Sequence, residues 1–245
     1  MWQIAGASIP GSDHTMPGKP GWKNNQDALF MHDDGRITIG IVADGCGSGK
    51  YSEVGSQIGV RMLGELLVEN MLRSPLNLER VRMNLLGQIS VLANSMGVSL
   101  SAIVAEYFLF SIVGFVITKD VTTVFHCGDG MYSVNGEISQ IGPFTNNAPP
   151  YLTYGLLGES SPVFQVRSFE TNAIASIAVG TDGTERVPDL KNQLAGWVST
   201  DAVFLNPDVL RRKFAIMNLE RIQNDILIPG PLKDDTSLVI SRRQI

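Results

Sequence analysis

Residues 39–52 read I-G-I-V-A-D-G-C-G-S-G-K-Y-S, an apolar run that ends in Asp-Gly and continues through glycines to Gly-Lys. This ending suggests a phosphate-binding loop, for which the spacing is G-x-x-x-x-G-K-[ST]. Counted back from Lys50, the first glycine position holds Asp44, and Tyr51 stands where the loop requires Ser or Thr. The spacing therefore argues against a nucleotide-binding loop and leaves Asp44 to be explained.

The segments around this stretch have the patterns of strands and helices. Apolar runs at 28–31 and 37–43 predict two strands, which the Asp-Gly at 34–35 joins in a hairpin. Apolar residues at helical spacing predict helices over 52–72 and 78–95. The first part of the chain is thus expected to form a β-hairpin followed by two long amphipathic helices.

The later part of the chain is richer in strands. Predicted strands lie at 111–117, 121–127, 131–134, 163–169, 174–180 and 237–241, and N-P-D at 206–208 predicts the start of a helix over 207–224. The stretches 143–162 and 184–208 are expected to be surface loops. No repeat and no low-complexity linker divides the chain, so we expect one α+β domain over 1–245.

Residues 98–117 approach membrane-spanning length but contain Glu106 and three Ser. A charge at the centre of a span costs about 3 kcal/mol. The stretch also leads directly into strand-like sequence, so its pattern favours a buried helix end that continues into a core strand.

The composition is that of an ordinary globular protein of 245 residues, with 44% apolar and 18% charged residues. The net charge of −5 at pH 7 argues against a nucleic-acid or anionic-membrane surface. Two Cys and three His show no zinc or disulfide spacing, which suits a reducing compartment, and the first residues lack a secretory pattern. We expect a cytoplasmic protein without nucleic-acid or membrane partners.

Acidic residues recur at the ends of the predicted strands. Asp44, Asp129 and Asp182 each follow an apolar run and precede a glycine, while Asp27 and the pair at 234–235 open apolar runs. A single Asp-Gly is most often a turn. Several such carboxylates at one end of a sandwich would repel each other and take up protons unless a cation lay among them. Oxygen ligands without Cys or His favour Mg²⁺ or Mn²⁺.

Five motifs, taken in order, resemble those of the metal-dependent Ser/Thr protein phosphatases, the protein phosphatase 2C family. They are N-Q-D-A (25–28), V-A-D-G-C-G-S-G (42–49), G-D-G (128–130), G-T-D-G (180–183) and D-D-T-S-L-V (234–239). The early G-S-D-H, G-K-P and N-Q-D-A pattern, with N-A-P-P-Y-L (147–152), is similar to the divergent, mainly bacterial branch. The resemblance implies two packed antiparallel β-sheets flanked by α-helices, a four-layer α/β/β/α sandwich.

The resemblance also implies two Mg²⁺ or Mn²⁺ ions in a cleft at one end of the sandwich. Asp44 matches the carboxylate that bridges both ions, and Gly45 the residue that gives its carbonyl to the second. Asp182 and Asp234 match ligands of the first ion, and Asp27 a ligand of the second, directly or through water.

A third, weaker ion would lie at Asp129, together with Asp182. The implied reaction is hydrolysis of phosphoserine and phosphothreonine monoesters, with the hydroxide that bridges the two ions attacking phosphorus. Asp44, Asp182 and Asp234 would then be the catalytic carboxylates. The implied partners are a phosphorylated protein substrate and a cognate Ser/Thr kinase system.

Some positions depart from the family pattern. Many members have Arg where this chain has Trp22, five residues before Asp27, so His14, Lys19 or Lys23 would have to bind the substrate phosphate. Each of the three also fits an ordinary loop residue.

Cys46 replaces the His that donates a proton in some members, and Gln26 replaces a Glu near the metals. The alternative is therefore a non-catalytic module that kept the fold and binds phosphoproteins. A cysteine-dependent phosphatase is excluded, because the position six after Cys127 is Ser133, where its H-C-x₅-R signature requires Arg.

Overall fold

The computed structural model of the protein describes residues 1–15, 24–158, 161–223 and 225–244. Within these ranges the strands are β1 (Trp2–Ile9), β2 (Asp27–Asp33), β3 (Thr38–Gly45), β4 (Phe110–Ile117), β5 (Val121–Cys127), β6 (Gly130–Val134), β7 (Glu137–Ile141), β8 (Gln165–Glu170), β9 (Ser176–Gly180), β10 (Arg221–Gln223), β11 (Ile226–Ile228) and β12 (Thr236–Arg243). The α-helices are α1 (Ser12–Thr15), α2 (Ser52–Arg73), α3 (Leu78–Met96), α4 (Leu100–Tyr107), α5 (Leu190–Val198), α6 (Asp201–Leu205) and α7 (Asp208–Met217).

Ten of the strands form two five-stranded antiparallel sheets. One sheet has the order β2-β3-β4-β5-β8 and the other the order β1-β12-β9-β6-β7, while β10 and β11 form a separate hairpin. The sheets pack face to face through apolar residues of both, among them Val42, Phe115, Val179 and Val239. Strands β2 and β3 therefore lie against β12, which comes from the far end of the sequence.

Helices cover the outer face of each sheet. α2 packs on β2, β3 and β4, with α3 and α4 against it, over a core that includes Ile39, Leu63 and Phe125. α5, α6 and α7 cover the other sheet, where Trp197 packs edge-on against Phe214 with ring centroids 5.3 Å apart. The prediction of a four-layer α/β/β/α sandwich is confirmed.

Most predicted elements are present, with small shifts at their ends. The turn at 34–35 joins β2 and β3, and the stretch 98–117 becomes the short helix α4 followed by the fully buried strand β4. The predicted helix over 207–224 is too long, because α7 ends at Met217 and β10 begins at Arg221.

Several elements were not predicted. Strand β1 lies at the edge of one sheet and is paired with β12 over its whole length. The stretch 184–208, expected to be a surface loop, instead contains α5 and α6, which bury Leu194, Trp197 and Val203. The short strands β7, β10 and β11 were also not predicted.

No single helix of the described chain is long and apolar enough to cross a membrane. The pair α3 and α4 passes such a test only when the two are taken together, and they meet at an angle of 109°.

Candidate metal centre

The first two carboxylates of the site lie side by side on neighbouring strands. Asp27 at the start of β2 is paired directly with Asp44 near the end of β3. Asp27 is 3% exposed, and its Oδ1 is buried without a hydrogen-bond partner among the described residues. Like charges directly opposite each other destabilise a sheet. Strand pairing alone therefore does not account for two acids at these positions.

The other sheet brings further acids to the same end. Asp182 follows β9 and opens a short 3₁₀ helix over 182–186. The preceding residue, Thr181, donates its hydroxyl to Asp27 Oδ2 at 2.7 Å and accepts the backbone N–H of Ser237 at 3.0 Å. Thr181 thus ties the end of β9 and the start of β12 to the carboxylate on β2.

The charges of these groups act on one another. Burial raises the pKa of Asp27 and of Asp44 well above the usual value, and neighbouring carboxylates raise both further. For Asp44 these neighbours are Asp27, Asp182, Asp234 and Asp129. Burial, then Asp234 and Asp129, raises the pKa of Asp182 to about 7. The predicted acids therefore share one electrostatic environment.

Asp234 and Asp235 occupy the segment just before β12 and have different surroundings. The Asp234 side chain is 54% exposed, with His14 Nε2 at 3.5 Å. The Asp235 side chain is buried and accepts the backbone N–H groups of Gly11 at 2.8 Å and Gln26 at 2.6 Å. Asp235 therefore anchors two separate segments of the chain, and Asp234 is the more accessible member of the pair.

His14, predicted to bind the substrate phosphate, lies in α1 against this acidic pair. Its Nδ1 is 2.8 Å from Asp235 Oδ2, an ion-pair distance, although the contact lacks the alignment of a hydrogen bond. Asp235 raises the pKa of His14 above its usual value, with burial opposing and Asp234 adding to the rise. The structure thus places His14 where it balances carboxylate charge, and phosphate binding by His14 stays a prediction.

Asp129 lies in the turn between β5 and β6. Gly128 and Gly130 flank it with φ of +96° and +129°, a region that favours glycine. Burial raises the pKa of Asp129, and its charge acts on both Asp44 and Asp182. The two glycines thus allow the turn that brings this acid to the same end of the sandwich.

Gly45 is required because its surroundings leave no room for a side chain. A Cβ atom at this position would lie 2.9 Å from the carbonyl oxygens of both Gln26 and Ser52. Its N–H donates to Gln26 O at 3.2 Å. The chain after Asp44 can therefore pass closely between β2 and the start of α2.

Cys46 and Gln26 stand at two of the departures from the family pattern. Cys46 is a free, half-buried thiol, 3.1 Å from Ser48 Oγ. Burial raises the pKa of Cys46, but hydrogen bonds with Ser48, Tyr151 and the Gly49 amide outweigh burial, so the pKa is lowered. Gln26 is buried and donates to the hydroxyl of Ser52.

The other predicted phosphate ligand, Lys23, lies outside the described residues, as do Lys19 and Trp22.

The donor set fits hard divalent cations. All predicted ligands offer oxygen, which Mg²⁺ and Mn²⁺ prefer, and the buried Asp27 Oδ1 has no other partner in the described chain. In those same ranges no three His, Cys, Asp or Glu side chains are close enough to chelate one ion together. Mg²⁺ usually takes only one or two carboxylates and keeps several waters, so this spacing agrees with ions bound partly through water.

Sequence reasoning missed Asp235 and Thr181 as supports of the site. Both adjoin predicted ligands, in D-D at 234–235 and T-D at 181–182. Only the contacts reveal which acid of the pair is buried and which is accessible.

The chain thus folds as a four-layer sandwich with acidic side chains from both sheets at one end. Residues 18–217 match the family described as Protein phosphatase 2C. The chain therefore belongs to the protein phosphatase 2C family.

Solved structures agree with this assignment. The Ser/Thr phosphatase Stp1 from Staphylococcus aureus matches with a TM-score of 0.63 at 13% identity, over 100% of this chain and 96% of that one. The catalytic domain of the phosphatase PstP, in complex with 2 manganese ions, matches at 0.58 and 14% identity, over 98% and 97%. RsbX in complex with magnesium matches at 0.56 and 15% identity, over 98% and 94%. At these identities the likeness shows the fold. No curated protein matches the sequence significantly.

Proposed function

We propose that this protein is a Mg²⁺- or Mn²⁺-dependent phosphatase that hydrolyses phosphoserine and phosphothreonine monoesters in proteins. The observation that carries the proposal is the Asp27–Asp44 pair, two mutually repelling acids on adjacent strands, one of them with an unpartnered buried oxygen among the described residues. Without a cation such a pair only destabilises the fold. The metals bound to PstP and RsbX support a divalent ion.

The proposed ligands divide between two ions. Asp44 would contribute to both, Asp182 and Asp234 to the first, and Asp27 with the carbonyl of Gly45 to the second, with part of each set acting through water because no three acids of the described chain are close enough to chelate one ion directly. When bound, the ions would supply a deprotonated water as nucleophile and neutralise charge on the phosphoryl oxygens.

A weaker third ion would be held by Asp129 together with Asp182. Both acids have a raised pKa, for which burial is the main cause, and the charge of Asp129 acts on Asp182.

Other groups of the chain would hold this arrangement in place. Thr181 orients Asp27 through its hydroxyl, and Asp235 anchors the backbone at Gln26. When protonated, His14 would offset part of the negative charge beside Asp234. The Cys46 thiol, two residues after Asp44, is the candidate to protonate the leaving oxygen from its Sγ.

The biological setting is part of the proposal. The family supports a phosphorylated protein as substrate, and a cognate Ser/Thr kinase would produce it. The unpaired thiols of Cys46 and Cys127 support a cytoplasmic location.

The test is hydrolysis of an aryl phosphate with Mn²⁺ and with a chelator. We expect turnover by the wild type only with metal, and a loss of roughly 10²–10³-fold in Asp182→Asn. Asp120→Asn is the matched control and should keep full activity, because this exposed acid lies in the β4–β5 turn at the other end of the sandwich. A folded wild type without metal-dependent turnover would favour the non-catalytic, phosphoprotein-binding module.

A further inference from the structure

Residues 150–153, which include the end of the motif N-A-P-P-Y-L, are held at both ends by hydrogen bonds, and we call them the tyrosine wall. The carbonyl of Pro150 accepts the thiol of Cys127, the last residue of β5, at 3.3 Å. The buried Thr153 donates its hydroxyl to the carbonyl of Phe108 at 2.8 Å. The tyrosine wall is therefore fixed on one side to the end of β5 and on the other to the segment before β4.

The tyrosine wall lies at the same end of the sandwich as the candidate acids. Cys127 is two residues before Asp129 in the chain. The N–H of Cys46 donates to the carbonyl of Leu109 at 2.9 Å. Leu109 directly follows the residue that accepts the second hydrogen bond of the wall. The tyrosine wall is thus attached beside the loop that follows Asp44.

The side chain of Tyr151 in this wall is 7% exposed. Its ring packs edge-on against that of Tyr154, with centroids 5.4 Å apart and planes at 68°. Its hydroxyl is hydrogen-bonded to Cys46, and the charges of Asp44 and Asp129 act on it. Packing therefore holds the phenol hydroxyl beside two acids that come from different parts of the site.

This phenol is an uncharged hydrogen-bond donor in acidic surroundings. Burial raises the pKa of Tyr151 above its usual value, and Cys46, Asp44 and Asp129 raise it further. The hydroxyl therefore keeps its proton at neutral pH. Because it carries no charge, it can lie beside carboxylates without forming an ion pair and still donate to an anion.

A phosphate monoester needs donors of this kind. Its phosphoryl group carries a charge of about −2 near neutral pH and three strong acceptor oxygens. Where many family members have Arg, this chain has Trp22. His14, which was predicted to bind phosphate, lies against Asp235 at 2.8 Å. Tyr151 thus offers the phosphoryl group a donor in addition to any bound ions.

We propose that Tyr151 is a further substrate-binding residue, whose hydroxyl donates a hydrogen bond to a phosphoryl oxygen of the phosphoprotein. This inference rests on the proposed phosphatase activity. The phenol oxygen can still accept a hydrogen bond, so the Cys46 thiol keeps its contact while the substrate is bound. The hydroxyl orients the phosphoryl group and transfers no proton.

The experiment compares Tyr151→Phe with the wild type in the presence of Mg²⁺. Phenylalanine keeps the packed ring and removes only the hydroxyl. We expect the dissociation constant for inorganic phosphate to rise about tenfold, because a hydrogen bond to a charged group is lost. Isothermal titration calorimetry measures this constant. In steady-state kinetics, kcat/KM for an aryl phosphate should fall by a similar factor.

The matched control is Tyr107→Phe, which removes the hydroxyl of a half-buried tyrosine near the wall. Tyr107 directly precedes Phe108, and its ring stacks on that of Tyr51 with centroids 4.7 Å apart. Its phosphate affinity and kcat/KM should stay within about twofold of the wild type. Mg²⁺ should raise the melting temperature of both variants as much as that of the wild type, which would show that the metal site is intact.

Three results would overturn the contact between Tyr151 and the phosphoryl group. The first is wild-type affinity for phosphate in Tyr151→Phe. The second is equal weakening of phosphate binding in Tyr107→Phe, which would show a general disturbance of this region. The third is a smaller stabilisation by Mg²⁺ in Tyr151→Phe than in the control, which would assign the hydroxyl to support of the metal ligands.

Turnover separates this contact from the phosphatase assignment. Normal turnover and normal phosphate affinity in Tyr151→Phe would overturn the contact and leave the phosphatase assignment intact. A wild type that binds phosphate without hydrolysing the ester would overturn the assignment, and weaker phosphate binding by Tyr151→Phe would then still support the contact. A wild type that binds no phosphate in the presence of Mg²⁺ would overturn both.

Discussion

The hairpin of β2 and β3 contains two Asp-Gly pairs, at opposite ends of the sandwich, and their acids behave in opposite ways. Asp34 in the 34–35 turn accepts the N–H groups of Arg36 and Ile37, both at 2.9 Å. These hydrogen bonds, that of Ile37 first, hold the pKa of Asp34 below its usual range. Asp44 lies directly opposite Asp27, and burial and neighbouring carboxylates raise its pKa.

The same dipeptide therefore has two different roles in one hairpin. At 34–35 the carboxylate of Asp34 accepts backbone hydrogen bonds within a turn, the structure that Asp-Gly sequences commonly form. At 44–45 the carboxylate is buried among other acids, which raise its pKa. The difference supports a bound ligand, rather than local structure, as the reason for the acids at the Asp44 end.

The largest expected effect concerns turnover. Asp44→Asn should lower metal-dependent hydrolysis of an aryl phosphate by roughly 10²–10³-fold, because it removes the proposed bridging ligand. Asp34→Asn makes the same chemical change in the other Asp-Gly and should leave kcat/KM within about twofold. Steady-state kinetics gives kcat/KM for both variants. An equal decrease in kcat/KM would contradict the claim that only Asp44 contributes to hydrolysis.

The next effect is stabilisation by metal. Mg²⁺ or Mn²⁺ at about 100 times its dissociation constant should stabilise the fold by about 2.7 kcal/mol, because the ions bind the folded cleft and not the open chain. The gain should shrink in Asp44→Asn and persist in Asp34→Asn. Thermal unfolding with and without millimolar metal measures it, and an unchanged wild-type melting curve would speak against a metal site.

A further effect concerns pH in the metal-free protein. Burial, then Asp234 and Asp129, raises the pKa of Asp182 from 3.8 to about 7. A carboxyl group that holds its proton more tightly when folded stabilises the fold below the unfolded pKa, and this contribution is lost as pH rises through the folded pKa. The free energy of unfolding of the wild type should therefore fall relative to that of Asp182→Asn as pH rises from 3.8 to about 7. Urea unfolding at several pH values measures it, and a difference independent of pH would contradict the raised pKa.

The smallest effect is that the two Asp→Asn substitutions should change the free energy of unfolding in opposite directions. Without metal, Asp44→Asn should stabilise the protein by on the order of 1 kcal/mol, because it removes a repelled charge. Asp34→Asn should destabilise it by about 0.5 kcal/mol, because an exposed pair with Arg36 is weak. Denaturant titration with a chelator present gives both values, and destabilisation by both substitutions would show that Asp44 has a structural role after all.

Many strands and helices could be predicted from hydrophobic period, whereas the packing of two sheets into a four-layer sandwich was implied by the family resemblance. The strands from β2 to β6 and the helices α2 and α3 are long or strongly patterned, so their apolar faces were visible in the sequence. Helices α5 and α6 have only nine and five residues, and such short helices depend on tertiary packing more than on propensity. The burial of Trp197 against Phe214 supplies that packing.

Strand β1 carries only a weak signal in the sequence. Ala5, Ala7 and Ile9 alternate with less buried residues, the period-2 pattern of a half-buried strand. Two of these three side chains are alanine, so the alternation in hydrophobicity is small. The partner β12 lies more than two hundred residues away, which local patterns cannot indicate.

The sequence predicts which acids stand at strand ends, but it does not predict the residues that support them. Asp27, Asp44, Asp129, Asp182 and Asp234 each stand at a strand end, and topology brings these ends together. The burial of one acid at 234–235, and the Thr181 hydroxyl on Asp27, depend on side-chain directions that no spacing specifies.

The most direct measurement is a crystal structure of the wild type grown with Mn²⁺, with anomalous differences collected to locate the ion. We predict a peak in the cleft between the two sheets, with oxygens of Asp44 and of Asp182 or Asp234 at about 2.1 Å. A map without a peak there, or one in which Asp44 and Asp182 are directed away from each other, would contradict the proposal that these acids exist to hold metal.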